Sequence, residues 1–473
     1  MLLAKLITSK IINALDALQP KVSVVLITLI ILVSIKASSQ DNSPYSRYGL
    51  GDIVPSTNIN SRGMGGISSG YSDFLTINFN NPASYGSFQT VKEPLAKKML
   101  YGRAILDIGL NFENRTLREP NNVEKFSASN ALFSHVQVGV PLRPNWGLSF
   151  GLRPMTRISY KMIKGERLVD PNSGLPIDSA VTSNDGDGGS YLASLGLGHK
   201  IKLGASQSLS LGINGGYLFG KQDYSNRRSI LNDSISYTSA NFQSTTSFGN
   251  LYFNAGLQYQ AKLNKDLVLT IGAHGNWKQK LNASQDKIKE TYFYNESTGN
   301  VRIDSVSDQK NIKGEIIYPG SYTAGFVIEK YATAKQAGWL IGMDYVQRKW
   351  GDYRIYGQAD PAVRDKWELH VGAQLRPIPK SNYFSNVTYQ AGAFFGPEYI
   401  YINKKLPVFG ATFGLGLPIL NYNRQSPGQA TLINLAFEFI KRGNNNNVLK
   451  ENIFRLSAGF SLSDFWFAKK KYE

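Results

Sequence analysis

Phe409-Gly410-Ala411-Thr412-Phe413-Gly414-Leu415-Gly416-Leu417-Pro418-Ile419 decides the fold of this chain. Phe409, Ala411, Phe413, Leu415, Leu417 and Ile419 alternate with the small Gly410, Thr412, Gly414 and Gly416. A period of two places these sets on opposite faces of a β-strand. The alternation returns as Leu209/Leu211/Ile213/Tyr217/Phe219, Leu251/Phe253/Ala255/Leu257/Tyr259, Trp367/Leu369/Val371/Ala373/Leu375 and Phe454/Leu456/Ala458/Phe460/Leu462, each with polar or small residues between. Fourteen such runs begin near residues 99, 126, 145, 189, 206, 245, 266, 319, 336, 365, 384, 406, 429 and 452. They are longer than the ~5–6 residues of soluble strands and match the ~9–11 that a tilted strand needs to cross hydrocarbon.

Connection lengths sharpen the reading. Connections after even strands are short, as at 263–265, whereas those after odd strands are long and polar, as at 162–188 and 281–318. An even strand count with that alternation predicts an all-β fold, a 14-stranded antiparallel transmembrane β-barrel. A Greek-key sandwich has no reason to keep it. Aromatics near strand ends (Tyr101, Trp146, Tyr160, Tyr217, Tyr259, Trp277, Trp350, Trp367, Tyr399) are expected to form the interfacial girdles.

Composition agrees. Only 18% of the 473 residues are charged, and there are 45 glycines and no cysteine. The last fact excludes disulfides, thiolate metal sites and cysteine nucleophiles. A mean hydropathy of −0.24 excludes a polytopic helical membrane protein but not a barrel. The net charge of +18 falls to +15 once the four lysines and one aspartate of residues 1–39 are removed. No recognition helix or basic stripe accompanies that charge, so nucleic acid is not expected as a partner. Basic groups spread over loops and lumen instead suit outer-membrane lipid and lipopolysaccharide headgroups.

Val22–Ile35 is an apolar run of 14 residues, the length of a signal-peptide core and short for a spanning helix. Lysines precede it and Ala37-Ser38-Ser39 follow, so residues 1–39 are read as a signal peptide, a retained anchor helix being the alternative. Residues 40–98 form an N-terminal hatch, 99–463 the barrel and 464–473 a basic C-terminal tail. Export through that signal places the barrel in the outer membrane of a Gram-negative cell.

Ser61-Arg62-Gly63-Met64-Gly65-Gly66, followed by Asn81-Pro82-Ala83, resembles the N-terminal signature of FadL-type outer-membrane transporters. The opening Ser43-Pro44-Tyr45-Ser46-Arg47-Tyr48-Gly49 and the ending Ser463-Asp464-Phe465-Trp466-Phe467 resemble a Bacteroidota branch of these barrels. The resemblance implies a hatch in the lumen, movable at Gly63–Gly66 and Asn81–Ala83, and a lateral wall opening near the third strand. That strand carries Pro154, which donates no ladder hydrogen bond and demands a bulge or an opening. The resemblance also implies passive uptake of small hydrophobic compounds. The alternative is a non-transporting structural subunit of a secretion or assembly complex, like the PorV-type partners in type IX secretion. The ending departs from many such barrels, because Lys469-Lys470-Lys471-Tyr472-Glu473 follows the aromatics.

Catalysis is not expected. Gly66-Ile67-Ser68-Ser69-Gly70 matches the G-x-S-x-G pattern, but no strand–turn–helix context surrounds it. His135, His199, His274 and His370 are not at ligand spacing, and Asp185-Gly186-Asp187-Gly188-Gly189 lacks the closing ligands of a calcium loop, so it is read as outer loop. No metal or cofactor is assigned. On the polar strand faces Arg153, Asn254, His274, Glu368, His370, Arg376, Glu438 and Arg455 are expected to line the lumen. An apolar continuous lumen would favour transport, and a polar sealed one with ordered outer loops the structural role.

Overall fold

The computed structural model describes residues 43–92, 99–120, 122–232, 235, 237–295, 299–419 and 429–466. The wall begins with β1 (Met99–Arg118), β2 (Phe126–Arg143), β3 (Trp146–Val169), β4 (Pro176–Lys202), β5 (Gln207–Leu231) and β6 (Ser239–Lys262). Two bent strands follow: β7, made of Leu267–Asn276 and Gln279–Asn295, and β8, made of Gly299–Tyr318 and Ser321–Lys330. The wall ends with β9 (Gly338–Arg348), β10 (Lys366–Arg376), β11 (Thr388–Ile402), β12 (Lys404–Ile419), β13 (Ala430–Arg442) and β14 (Lys450–Trp466). Neighbours are antiparallel, and β14 pairs with β1 from Lys450↔Arg118 to Trp466↔Gly102, closing a fourteen-stranded barrel. The bend in β8 falls at Pro319-Gly320, where proline interrupts the ladder, and Asn276 Nδ2 pins it by donating to Pro319 O at 3.0 Å.

Burial is inverted relative to a soluble protein. Trp339, Ile341, Met343 and Tyr345 of β9 face out, while Leu340, Asp344 and Val346 face in. In β10 Trp367, Val371 and Leu375 are exposed, while Glu368 and Gln374 are buried. An apolar outside around a polar inside is stable only where the outside meets hydrocarbon.

The strands reach further than their apolar alternation. The presumed outer loops 162–188 and 281–318 are mostly paired: β3 and β4 continue to Val169↔Pro176, and β7 and β8 to Asn295↔Gly299. At ~3.3 Å per residue the 27 residues of β4 span about 90 Å, far beyond a bilayer. Toward their tips, over 163–177 and 302–313, both faces of these hairpins meet water, so the period-two signal fades while the hydrogen bonds continue. Asp185–Gly189 accordingly lies within β4, opposite Lys161–Arg157, and is not a loop. Tyr160, Trp350 and Tyr399 are buried and belong to no lipid-facing girdle. β14 extends three residues past 463, to Trp466. The signal-peptide reading and the remainder of the basic tail lie outside the described residues.

Residues 43–92 run through the lumen from the long-hairpin end of the barrel to the short-turn end. Ser43 N bonds Ser159 O of outer β3, and Thr90–Lys92 pairs with the inner end of β1. Helix α1 (Ile59–Gly63) is capped by Asn58, whose side chain accepts from Ser61 N at 2.9 Å. The turn Pro82–Ser87 is capped by Asn81, accepting from Ala83 N at 3.2 Å, with proline at its first position.

Because the native chain lacks cysteine, single cysteines report topology cleanly. Val306→Cys should react with an impermeant maleimide on intact cells, and Asn264→Cys only after lysis. The reverse pattern would refute the orientation.

Candidate functional site

The hatch fits the wall because the wall is glycine where the hatch presses. A Cβ on Gly372 would lie 2.2 Å from Met64 O, and one on Gly392 would lie 2.3 Å from Gly65 N. Gly65 and Gly66 themselves take φ of +66° and +86°, a region side chains rarely adopt. Thr412 Oγ1 donates to Gly63 O at 3.1 Å and accepts from Gly65 N at 2.9 Å. Asn81-Pro82-Ala83 is seated likewise: a Cβ on Gly212 would meet Pro82 C at 2.3 Å, and Asn81 Nδ2 donates to Ser69 O at 2.7 Å.

Arg62 is fully buried beside this clasp. Its guanidinium donates to Asn111 Oδ1 at 2.6 Å, Ser134 Oγ at 2.7 Å, Ser457 Oγ at 3.3 Å, Thr57 O at 3.1 Å and Pro55 O at 3.1 Å. One hatch side chain thereby holds β1, β2 and β14 and its own loop.

Above it lies a lattice of buried ion pairs. Asp52 of the hatch receives Arg115 at 2.8 Å and Arg442 at 2.9 Å. Both arginines reach Glu451, at 3.2 and 3.1 Å. Arg455 pairs with Glu113 at 2.9 Å and Glu438 at 3.0 Å, while Lys366 joins Glu368 at 3.2 Å and Glu398 at 3.0 Å. Buried charges are tolerated when paired and hydrogen-bonded.

Seven of the eight residues expected to line the lumen (Arg153, Asn254, His274, Glu368, His370, Glu438 and Arg455) border one cavity of about 240 Å³. Arg376 instead binds the hatch's Asp73 at 2.9 Å. Sequence reasoning missed Asp52, Arg62, Arg115, Lys366, Glu398, Arg442 and Glu451. The signal available for several was a charge on the inward phase of a strand, but Asp52 and Arg62 sit in a segment with no periodicity.

Ser68 Oγ lies 3.0 Å from His274 Nε2. The third member of a hydrolytic triad would orient the ring, yet Asp344 instead accepts from Ser68 Oγ at 3.3 Å. It also accepts from Ser68 N at 2.7 Å and Ser69 N at 2.9 Å. A carboxylate therefore occupies the two amides that an oxyanion would need. The cluster fastens the hatch.

The wall is discontinuous beside Pro154. β2 and β3 pair only from Arg143↔Trp146 to Val136↔Leu152, although β2 pairs with β1 up to Phe126 and β3 with β4 up to Val169. A register shift between Pro154 and Thr156 bulges β3 against β4. The hatch takes the exposed edge of β3: Asp52↔Arg157 and Ile53↔Thr156 pair, and Val54 N bonds Met155 O.

The mouth at the long-hairpin end is covered by an apolar layer containing Tyr45, Leu50, Trp350, Tyr353 and Tyr399. Trp350 stacks on Tyr399 at 4.3 Å, and the Tyr399 hydroxyl donates to Gly51 O at 2.6 Å.

The family model described as BamG matches residues 20–473. No curated protein matches the chain. Solved structures of similar layout include the CymD monoaromatic hydrocarbon channel, with 12% identity, TM-score 0.47 and coverage of 87% of this chain and 98% of that one. A Pseudomonas aeruginosa FadL homologue shows 14% identity, TM-score 0.47 and coverage of 89% and 100%. The P. putida toluene transporter TodX shows 14%, 0.46, 87% and 99%.

Two substitutions test the clasp and the lattice. Gly212→Val should cost about 1–3 kcal/mol by overpacking and expose residues 76–88 to protease while the barrel stays heat-modifiable on gels. Unchanged protease resistance would contradict the seating. Arg455→Met strands Glu438 and leaves Glu113 to Arg115 alone, and should cost about 3–5 kcal/mol, read as a lower thermal midpoint in detergent.

Proposed function

The chain belongs to the BamG family, and from that premise we propose that it is a non-catalytic outer-membrane barrel serving as a structural subunit of a multiprotein outer-membrane complex. The observation that carries this reading is the lumen. It is occupied by a hatch fastened at both ends, and its cavity is walled by charged groups such as Asp52, Arg115, Glu398 and Arg442. A hydrocarbon there would displace the solvation of those groups and return no hydrogen bond, an expensive exchange. The paired outer hairpins add support, because ordered sheet above the membrane offers a partner protein a surface without the entropy cost of folding a loop. Secretion or assembly machinery of Bacteroidota, type IX secretion included, is the setting that the sequence resemblance suggests.

One observation favours a second reading, passive passage of small hydrophobic compounds. The break between β2 and β3 adjoins Pro154 and is stopped by Asp52–Ile53, so withdrawing that strap would open a lateral path between cavity and membrane. Gly63–Gly66 and Asn81–Ala83 would then be the moving parts of the gate.

Purification from native membranes in mild detergent separates the two. A stoichiometric protein partner with no extractable hydrophobic ligand is expected. A bound fatty acid or hydrocarbon and no partner would sink the subunit reading and establish the transport one.

A further inference from the structure

The cavity's charges do not balance locally. Every carboxylate that borders it (Asp52, Glu368, Glu398 and Glu438) is already engaged by Arg115, Arg442, Arg455 or Lys366. Arg62, Arg153 and Arg348 border the same cavity and form no ion pair among the described residues. Arg62 is covered by its five neutral acceptors. Arg153 has two, Ser56 O at 2.8 Å and Asn80 Oδ1 at 2.7 Å, and packs against the Phe79 ring. Arg348 has no hydrogen-bond acceptor among the described residues, and its Nε is buried.

Two further donors share this corner. Tyr252 and Tyr318 are buried with their rings edge to face at 5.8 Å, and neither hydroxyl has a partner among the described residues. Both phenols and both guanidinium groups feel one another electrostatically. His274, Asn254 and Asn276 complete the wall, and Glu368, a carboxylate on the same cavity, is held by Lys366. Arg153 is buried and Arg348 half-buried on the same cavity, where like charges repel and burial of unpaired charge is costly.

We propose that this corner is a binding site for a compact, water-soluble oxyanion of phosphate size, held by Arg153, Arg348, Tyr252 and Tyr318. An oxyanion is acceptor-only, and all four side chains can donate to it. Planar guanidinium groups suit its geometry better than ammonium groups. The cavity that this corner borders, about 240 Å³ in all, accepts such an ion with part of its hydration. The bound ion would neutralise the lumen and lock hatch residues Ser56 and Asn80, through Arg153, onto β3, β6, β8 and β9. This inference is independent of whether the barrel serves as a subunit or as a channel.

The test uses the full-length barrel in detergent, with radiolabelled inorganic phosphate in equilibrium dialysis and thermal unfolding at constant ionic strength. Saturable binding of one phosphate per chain is expected, with a higher midpoint in phosphate than in chloride. Arg348→Gln should weaken binding at least tenfold, and Tyr318→Phe severalfold, while the surface variant Lys310→Gln should leave it unchanged. Heat-modifiability shows which variants are folded. If Arg348→Gln does not fold, Tyr318→Phe alone decides. Absence of saturable binding, or binding unaffected by these substitutions, would overturn the proposal. Displacement of phosphate by octanoate but not by acetate would also overturn it, because the site would then belong to an amphiphile.

Discussion

The pairing of β14 with β1 is the contact on which the rest depends. At membrane depth neither lipid nor water can satisfy a sheet edge, so the wall must close. Closure at fourteen strands leaves an interior too wide for wall side chains alone to fill. A separate segment must occupy it, and residues 43–92 do so. The glycines of β5, β10, β11 and β12 follow from this, because a backbone packed against a wall needs strand positions without Cβ atoms.

Filling the lumen removes polar strand faces from water. Their charges must then be neutralised by neighbours, which explains the lattice from Asp52 through Arg115, Arg442 and Glu451. Removing one partner leaves the other buried and costly, so the lattice is a constraint on variation more than a source of net stability. The exception to closure is the β2–β3 break. There the hatch replaces the missing wall strand along Asp52–Ile53, so one segment acts both as filling and as wall.

Much of this was legible in the residues. Strand number and the inward phase of Glu368, Glu438 and Arg455 follow from period two, because a membrane presents one apolar and one polar side to every strand, whereas the strands expected to begin near 189, 245 and 319 begin at Pro176, Ser239 and Gly299. Asn81-Pro82-Ala83 and Met64-Gly65-Gly66 stood out through their resemblance to the FadL-type signature, and the structure shows the turns that these residues form. The outer hairpins were not legible, since β-pairing in water on both sides needs no apolar alternation. Nor were the buried places of Trp350 and Tyr399, because an aromatic covering the lumen mouth looks in sequence like one in the girdle.

What the sequence determined by itself is therefore the barrel, its strand count and the face of each strand, all consequences of local alternation. Only the tertiary structure decided which charge meets which. Asp52 and Arg442 are 390 residues apart, and no local rule couples them. It also decided that a threaded segment and paired charges share the lumen. Whether the inside of a closed sheet is a path or a packed interior depends on how the threaded segment seats against every strand at once.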